Sequence, residues 1–253
     1  MYTSQQILRG ETGTAESQWR AIYVTGGVAT MIALIGIVLD VIVGSSTGGN
    51  LSALPQTAVD RFAQFQTSPL LGLYNLDLLN IINQLILIPA YFALFAAHRK
   101  TNIAYALLAL IIFLVGTTIF VTTNTALPML DLSHKYAAAT TESQKTLLAA
   151  AGEAMLARGA HSSLGVFIGF LLPNIAGLFM SLAMLTGKVF SKVTSYLGIA
   201  GSVLLLLYIV LVTFAPNVKD MATAFAMPGG LLSMAWMVMF TIRLFQLGSL
   251  KNA

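Results

Sequence analysis

Six stretches of this chain are each long and apolar enough to cross a bilayer: roughly residues 21–44, 71–97, 103–124, 164–185, 196–215 and 227–247. A hydrocarbon core about 30 Å thick asks for roughly 20 apolar residues at 1.5 Å per residue. Inside it every backbone polar group must be satisfied within its own segment, which leaves helices as the solution for segments of this length. The expected fold is therefore all-α, a polytopic membrane helix bundle of six transmembrane helices forming a single membrane domain. Composition agrees, since 57% of residues are hydrophobic and 9% are charged, against about a quarter charged in soluble domains.

Charge and residue inventory exclude several classes. The net charge is +4, but no Lys/Arg cluster is longer than Arg99-Lys100, so a nucleic-acid surface is not expected. There is no cysteine, which removes disulfides, thiolate metal sites and cysteine nucleophiles. Residues 1–18 are polar and lack an apolar core followed by a small-residue cleavage site, so the first span is expected to act as an uncleaved anchor, with 1–20 as a cytoplasmic segment. Of the 13 Lys and Arg residues, Arg9, Arg20, Arg99, Lys100, Lys188, Lys192, Arg243 and Lys251 fall on one side of the bundle. By the positive-inside rule that side, with both termini, is cytoplasmic. The resulting expectation is a multi-pass protein of the inner (plasma) membrane whose partner is the lipid bilayer.

The second span carries the least bland chemistry. Asn75, Asp77, Asn80, Asn83 and Gln84 precede an apolar run from 85 to 97. At 100° per residue Asp77, Asn80 and Gln84 share a face, with Asn83 beside it. In hydrocarbon each such group costs on the order of 2 kcal/mol or more, so the face must look at other helices or at a wet cavity. In the first span Ala29, Ala33, Gly36, Asp40 and Gly44 line one face, small residues that allow a neighbour to approach closely. Asp40 lies at the depth of Asp77, and the two acids are expected to form a polar centre with at least one protonated or paired. Pro89 should kink the second span just beyond the stripe. Asn124 near the end of span three and Asn174 beside Pro173 in span four complete the candidate ligand-binding set: Asp40, Asp77, Asn80, Asn83, Gln84, Asn124 and Asn174.

Residues 125–163 read as an outer helical cap. Asp131, His134 and Lys135 form a charged face, and Thr141 with Gln144 reads as a capping box that opens an amphipathic helix over 142–157, ended by Gly159. Residues 59–65 read as a short interfacial helix with Phe62 and Phe65 dipping into the headgroups. Asp131, His134 and His161 are weak candidates for a metal site, because imidazole and carboxylate suit zinc-like ions; interfacial histidines paired with Asp131 or Glu153 are the plainer reading. No H-E-x-x-H helix supports the metal, and no cofactor is identified.

Asn124-Thr-Ala126, Met129-Leu-Asp-Leu-Ser133, Tyr136-Ala-Ala-Ala-Thr-Thr141 with Gln144, Val189-Phe-Ser-Lys-Val-Thr-Ser-Tyr-Leu-Gly198 and Arg243-Leu-Phe-Gln-Leu-Gly248 together resemble an uncharacterised bacterial family of six-helix membrane proteins, a domain of unknown function. The resemblance runs mainly over 76–248. It implies a bacterial inner membrane, one six-helix unit and a shared outer segment over 124–144, and it implies no activity, cofactor or catalytic residue. Three function classes stay open. One is binding or transport of a small polar or amphipathic ligand, a lipid or an ion through an outward-facing polar cavity. The second is a structural or accessory subunit, as a homo-oligomer or within a membrane complex. The third is an intramembrane enzyme, for which Ser133 or Ser162 beside His134 or His161 is the available nucleophile and base, although adjacent helical residues point apart.

Overall fold

The structure is a computed structural model that describes residues 4–46, 54–161 and 163–249. Among these residues there are helices and no strand. Six helices are long and apolar enough to span a membrane, so the chain is a multi-pass membrane protein and a lipid bilayer is its environment.

Helix α1 (Ser4–Ser46) contains the first span, Gln18–Gly44. The second span is built from two helices, α4 (Leu78–Ile86) and α5 (Ile88–His98), preceded by the short α3 (Pro69–Tyr74). Pro89 sits in the first turn of α5 and has no N–H to offer the preceding turn, so the span breaks at Leu87. The remaining spans are α6 (Ile103–Thr123), α9 (Phe167–Gly187), α10 (Lys192–Phe214) and the apolar part of α11 (Lys219–Ser249). The third candidate span runs on from α6 through α7 (Ala126–Ala138), while α2 (Ala58–Thr67) and α8 (Glu142–Gly159) fall outside the six.

The spans close into a ring. Helix α1 packs on α5, α5 on α6, α6 on α9, α9 on α10, α10 on α11, and α11 returns to α1. The connections between α5 and α6 and between α9 and α10 are too short for anything but antiparallel neighbours. Close approach is bought with small residues: a methyl at Gly116 on α6 would meet Leu172 Cβ and Pro173 Cδ of α9 at 2.7 Å. On α1 the small stripe faces inward, with Ala29 and Ala33 buried, while Val28, Ile32, Ile35 and Leu39 are exposed to the lipid side.

A second core lies beyond the ring. Phe62, Phe65, Leu76, Ala126, Met129 and Leu156 pack together where α2 meets α7 and α8. Phe62 and Phe65 are therefore buried at 1% exposure and do not dip into headgroups as their amphipathic spacing predicted; α7 and α8 supply an apolar surface that competes with lipid. The N-terminus of α2 is held from outside, with Ala58 N–H donating to the Glu153 carboxylate of α8 at 2.7 Å. Thr141 accepts from Gln144 N–H as the N-cap of α8, but the Gln144 side chain accepts from Thr140 N–H, one residue earlier than a reciprocal box requires.

Candidate functional site

The helix expected across 71–97, with its kink at Pro89, also breaks near its N-terminal end. Asp77 adopts φ 63°, ψ 22°, a left-handed conformation that short polar side chains tolerate best among non-glycine residues. The break makes Asp77 the N-cap of α4, so its carboxylate stands at the positive end of that helix. Asn80, one turn into α4, donates to Asp77 Oδ1 at 3.0 Å.

His161, on the connection that follows α8, completes the group. Its Nδ1 lies 3.1 Å from Asp77 Oδ2 and 3.3 Å from Oδ1, and its Nε2 lies 2.9 Å from the Tyr208 hydroxyl of α10. Burial on its own lowers a histidine pKa. The Asp77 carboxylate and the Tyr208 oxygen outweigh it, so His161 titrates well above the ordinary 6.5. As an imidazolium it donates from both ring nitrogens, one to each partner. The His161 edge also meets the Phe170 ring, 5.2 Å between centroids.

These groups open onto a cavity of about 200 Å³ lined by Asp40, Tyr74, Asn75, Asp77, Asn80, His161 and Tyr208 together with Leu54. Tyr74 donates to the Asp40 backbone carbonyl at 2.9 Å and fastens α3 to α1. Asp40 faces the cavity with no direct ion pair among the described residues, and the nearest cationic group on the same cavity is His161, which is paired with Asp77. Arg61 of α2 is 5% exposed and its Nε has no hydrogen-bond partner. Burial lowers its pKa, and the nearby Asp77 charge acts the other way. Burial, then the charge and hydrogen bond of Asp40, push the Tyr74 phenol upward, so it stays neutral.

The seven sequence candidates separate. Asp40, Asp77 and Asn80 line this cavity at the N-terminal end of α4. Gln84 and Asn174 line a different, deeper one. Asn83 is packed on α1, where a methyl at Gly36 would overlap its amide. Asn124 is the C-cap residue of α6 and spends both ends of its amide on backbone groups, donating to Leu76 O at 2.6 Å and accepting from Ala126 N–H at 2.9 Å. Neither Asn83 nor Asn124 lines the cavity.

The metal candidates are not brought together. Asp131 and His134 are exposed on α7, Asp131 is paired with Lys135, and His161 uses both ring nitrogens elsewhere. No group of three potential His, Cys, Asp or Glu ligands occurs among the described residues. The pairing of an interfacial histidine with Asp131 or Glu153 is replaced by His161–Asp77. Ser133 donates to Phe62 O and accepts from Gln66, so its hydroxyl is a strut between α7 and α2. Ser162 lies outside the described residues. Tyr208 and Tyr74 carried no sequence signal beyond a phenol in or beside an apolar stretch, and Arg61 none beyond its sign.

Six apolar helices closed into a ring, with titratable groups gathered at one mouth, define a multi-pass membrane helix bundle. Residues 21–243 match the model of the family described as Domain of unknown function (DUF4386), and the chain belongs to that family. The match takes in the first span and its loop, which precede the stretch 76–248 that carries the resembling motifs. No curated protein and no solved structure matches the chain.

Proposed function

We propose that this protein binds a small polar ligand or an ion in the outer cavity, as a binding or transport protein with both termini cytoplasmic, in the inner membrane of a bacterium. The observation that carries the reading is the cavity itself. About 200 Å³ of space lies against two carboxylates, Asp77, paired with His161, and Asp40, with no direct ion pair among the described residues. Charged groups at this depth are expensive unless they serve a ligand or each other. The Asp77–His161–Tyr208 chain links α4, the 160–166 connection and α10 through one exchangeable proton site, which suits a cation or an amine that competes with that proton.

The test uses purified protein in detergent, with melting temperature followed across added NaCl, CaCl₂ and glycine at constant ionic strength. A stabilisation present in the wild type and lost in Asp77→Asn and Asp40→Asn supports the reading. Equal stability and equal response in wild type and Asp77→Asn reject it. That outcome favours a structural or accessory role, consistent with the amides of Asn83 and Asn124 that already serve packing and capping.

A further inference from the structure

The ring has a second cavity at its centre, of about 170 Å³, and it is chemically unlike the first. Five spans line it, with α4 and α5 together contributing the second. Its walls are aromatic: Tyr91 stacks on Phe113 with centroids 3.8 Å apart and planes 8° from parallel, and Trp236 meets Phe240 edge-on at 4.8 Å. Among the described residues no charged side chain lines it. A charged occupant would have no counter-charge in a low-dielectric centre and is disfavoured by several kcal/mol.

The polar groups at this cavity have hydrogen-bonding capacity to spare. Serines on membrane helices ordinarily return their hydroxyl to the carbonyl four residues earlier, as Ser181 does to Gly177 O at 2.8 Å and Ser195 to Ser191 O at 3.2 Å. Ser202 and Ser233 line the cavity and make no hydrogen bond among the described residues. Gln84 Oε1 is buried and accepts nothing. Left unpaired, such an acceptor costs about 1–3 kcal/mol, so an occupant that donates to it recovers that cost. An apolar cavity of about 150 Å³ is large enough for benzene.

We propose that the centre of the ring is a binding site for a small, uncharged, planar molecule of phenol to indole size that carries a hydroxyl or N–H donor. The aromatic walls take its faces, Gln84 accepts its proton, and Ser202 and Ser233 meet its remaining polar edge. The site is independent of the outer cavity. The two are stacked along α4, where Asn80 belongs to one and Gln84, one turn on, to the other.

Trp236 is a built-in reporter, because the chain has two tryptophans and Trp19→Phe leaves it alone. The probe pair is 4-bromophenol, which has the donor, and 4-bromoanisole, which lacks it. In detergent-solubilised Trp19→Phe, 4-bromophenol should quench Trp236 saturably and bind roughly 5- to 10-fold more tightly than the anisole, the value of one hydrogen bond to a buried acceptor. Added Gln84→Leu should erase that preference, and added Gly177→Leu, which projects toward Ser202 Oγ and Tyr91 Oη, should remove saturable quenching. Added Asp77→Asn should change neither, which separates this site from the outer one. Quenching that rises linearly with both probes and is the same in the Gln84→Leu protein would overturn the proposal, since partition into detergent then accounts for it. Gln84→Leu replaces the amide by an apolar branch of similar size and leaves the close contacts of Gly177 untouched, so the outcome stands even where Gly177→Leu fails to fold.

Discussion

His161 Nδ1 lies 3.1 Å from Asp77 Oδ2 although the two residues are 84 positions apart, and this contact joins the connection after α8 to the N-cap of α4. Both side chains are largely withdrawn from solvent, at 22% and 9% exposure. Removing one partner strands the other in a site with little water to replace it. Asp77→Ala should therefore destabilise the protein by about 1–3 kcal/mol, read as a lowered melting temperature, and Asp77→Asn by less because the amide still bonds His161. A melting temperature for Asp77→Ala equal to wild type would show that the contact does not contribute.

The same pair sets a pH dependence with a definite sign. His161 titrates above its ordinary 6.5 because Asp77 and Tyr208 stabilise the imidazolium against the opposing effect of burial. A group whose pKa is raised on folding contributes stability that is complete below the ordinary value and is lost as pH rises through the folded-state value. Melting temperature should fall between neutral and alkaline pH in wild type, and the fall should be reduced in His161→Gln. Superimposable profiles for the two proteins would refute this assignment.

At the α1–α4 contact, Asn83 covers Gly36 so closely that even a methyl would overlap its amide. Gly36→Val should cost about 1–3 kcal/mol through overpacking and should be partly relieved by Asn83→Ala in the double variant. Additive losses in the two single variants and the pair would mean that these residues do not meet.

The smaller core formed by α2, α7 and α8 predicts a large single-site effect. Phe62 is 1% exposed, packs against Tyr136 with ring centroids 5.2 Å apart, and sits under Gly152. Phe62→Ala should cost about 3–5 kcal/mol and loosen α2, α7 and α8 in hydrogen exchange while the spans stay protected. Unchanged protection over 126–159 would contradict the role given to this core.

Topology is testable on a background with no cysteine. Ser143→Cys, exposed on α8, and Ser191→Cys, in the turn before α10, lie on opposite sides of the bundle under the proposed orientation. A membrane-impermeant maleimide should label position 143 and not 191 in intact cells. The reverse pattern would invert the protein in the membrane.

The six spans and the all-helical class were determined by the sequence alone, because a bilayer asks a local question of each segment: length and hydropathy over about 20 residues. The inward face of α1 was legible for the same reason, since helical periodicity places Ala29, Ala33 and Gly36 on one side wherever that side points. The Asp40, Asp77 and Asn80 grouping was also within reach, as acids and an amide at one depth. What the tertiary structure decided is azimuth and partnership. Periodicity orients residues within a helix but carries no information about how six helices are turned toward one another. So nothing local could tell that Gln84 and Asn174 belong to the ring's centre, that Asn83 and Asn124 are spent on packing and capping, or that Phe62 faces protein and not lipid. His161 and Tyr208 are 47 residues apart and Asp77 is farther still. Their meeting depends on the ring closing and on a left-handed residue at the start of α4, and both follow from long-range packing that no single stretch of the chain encodes.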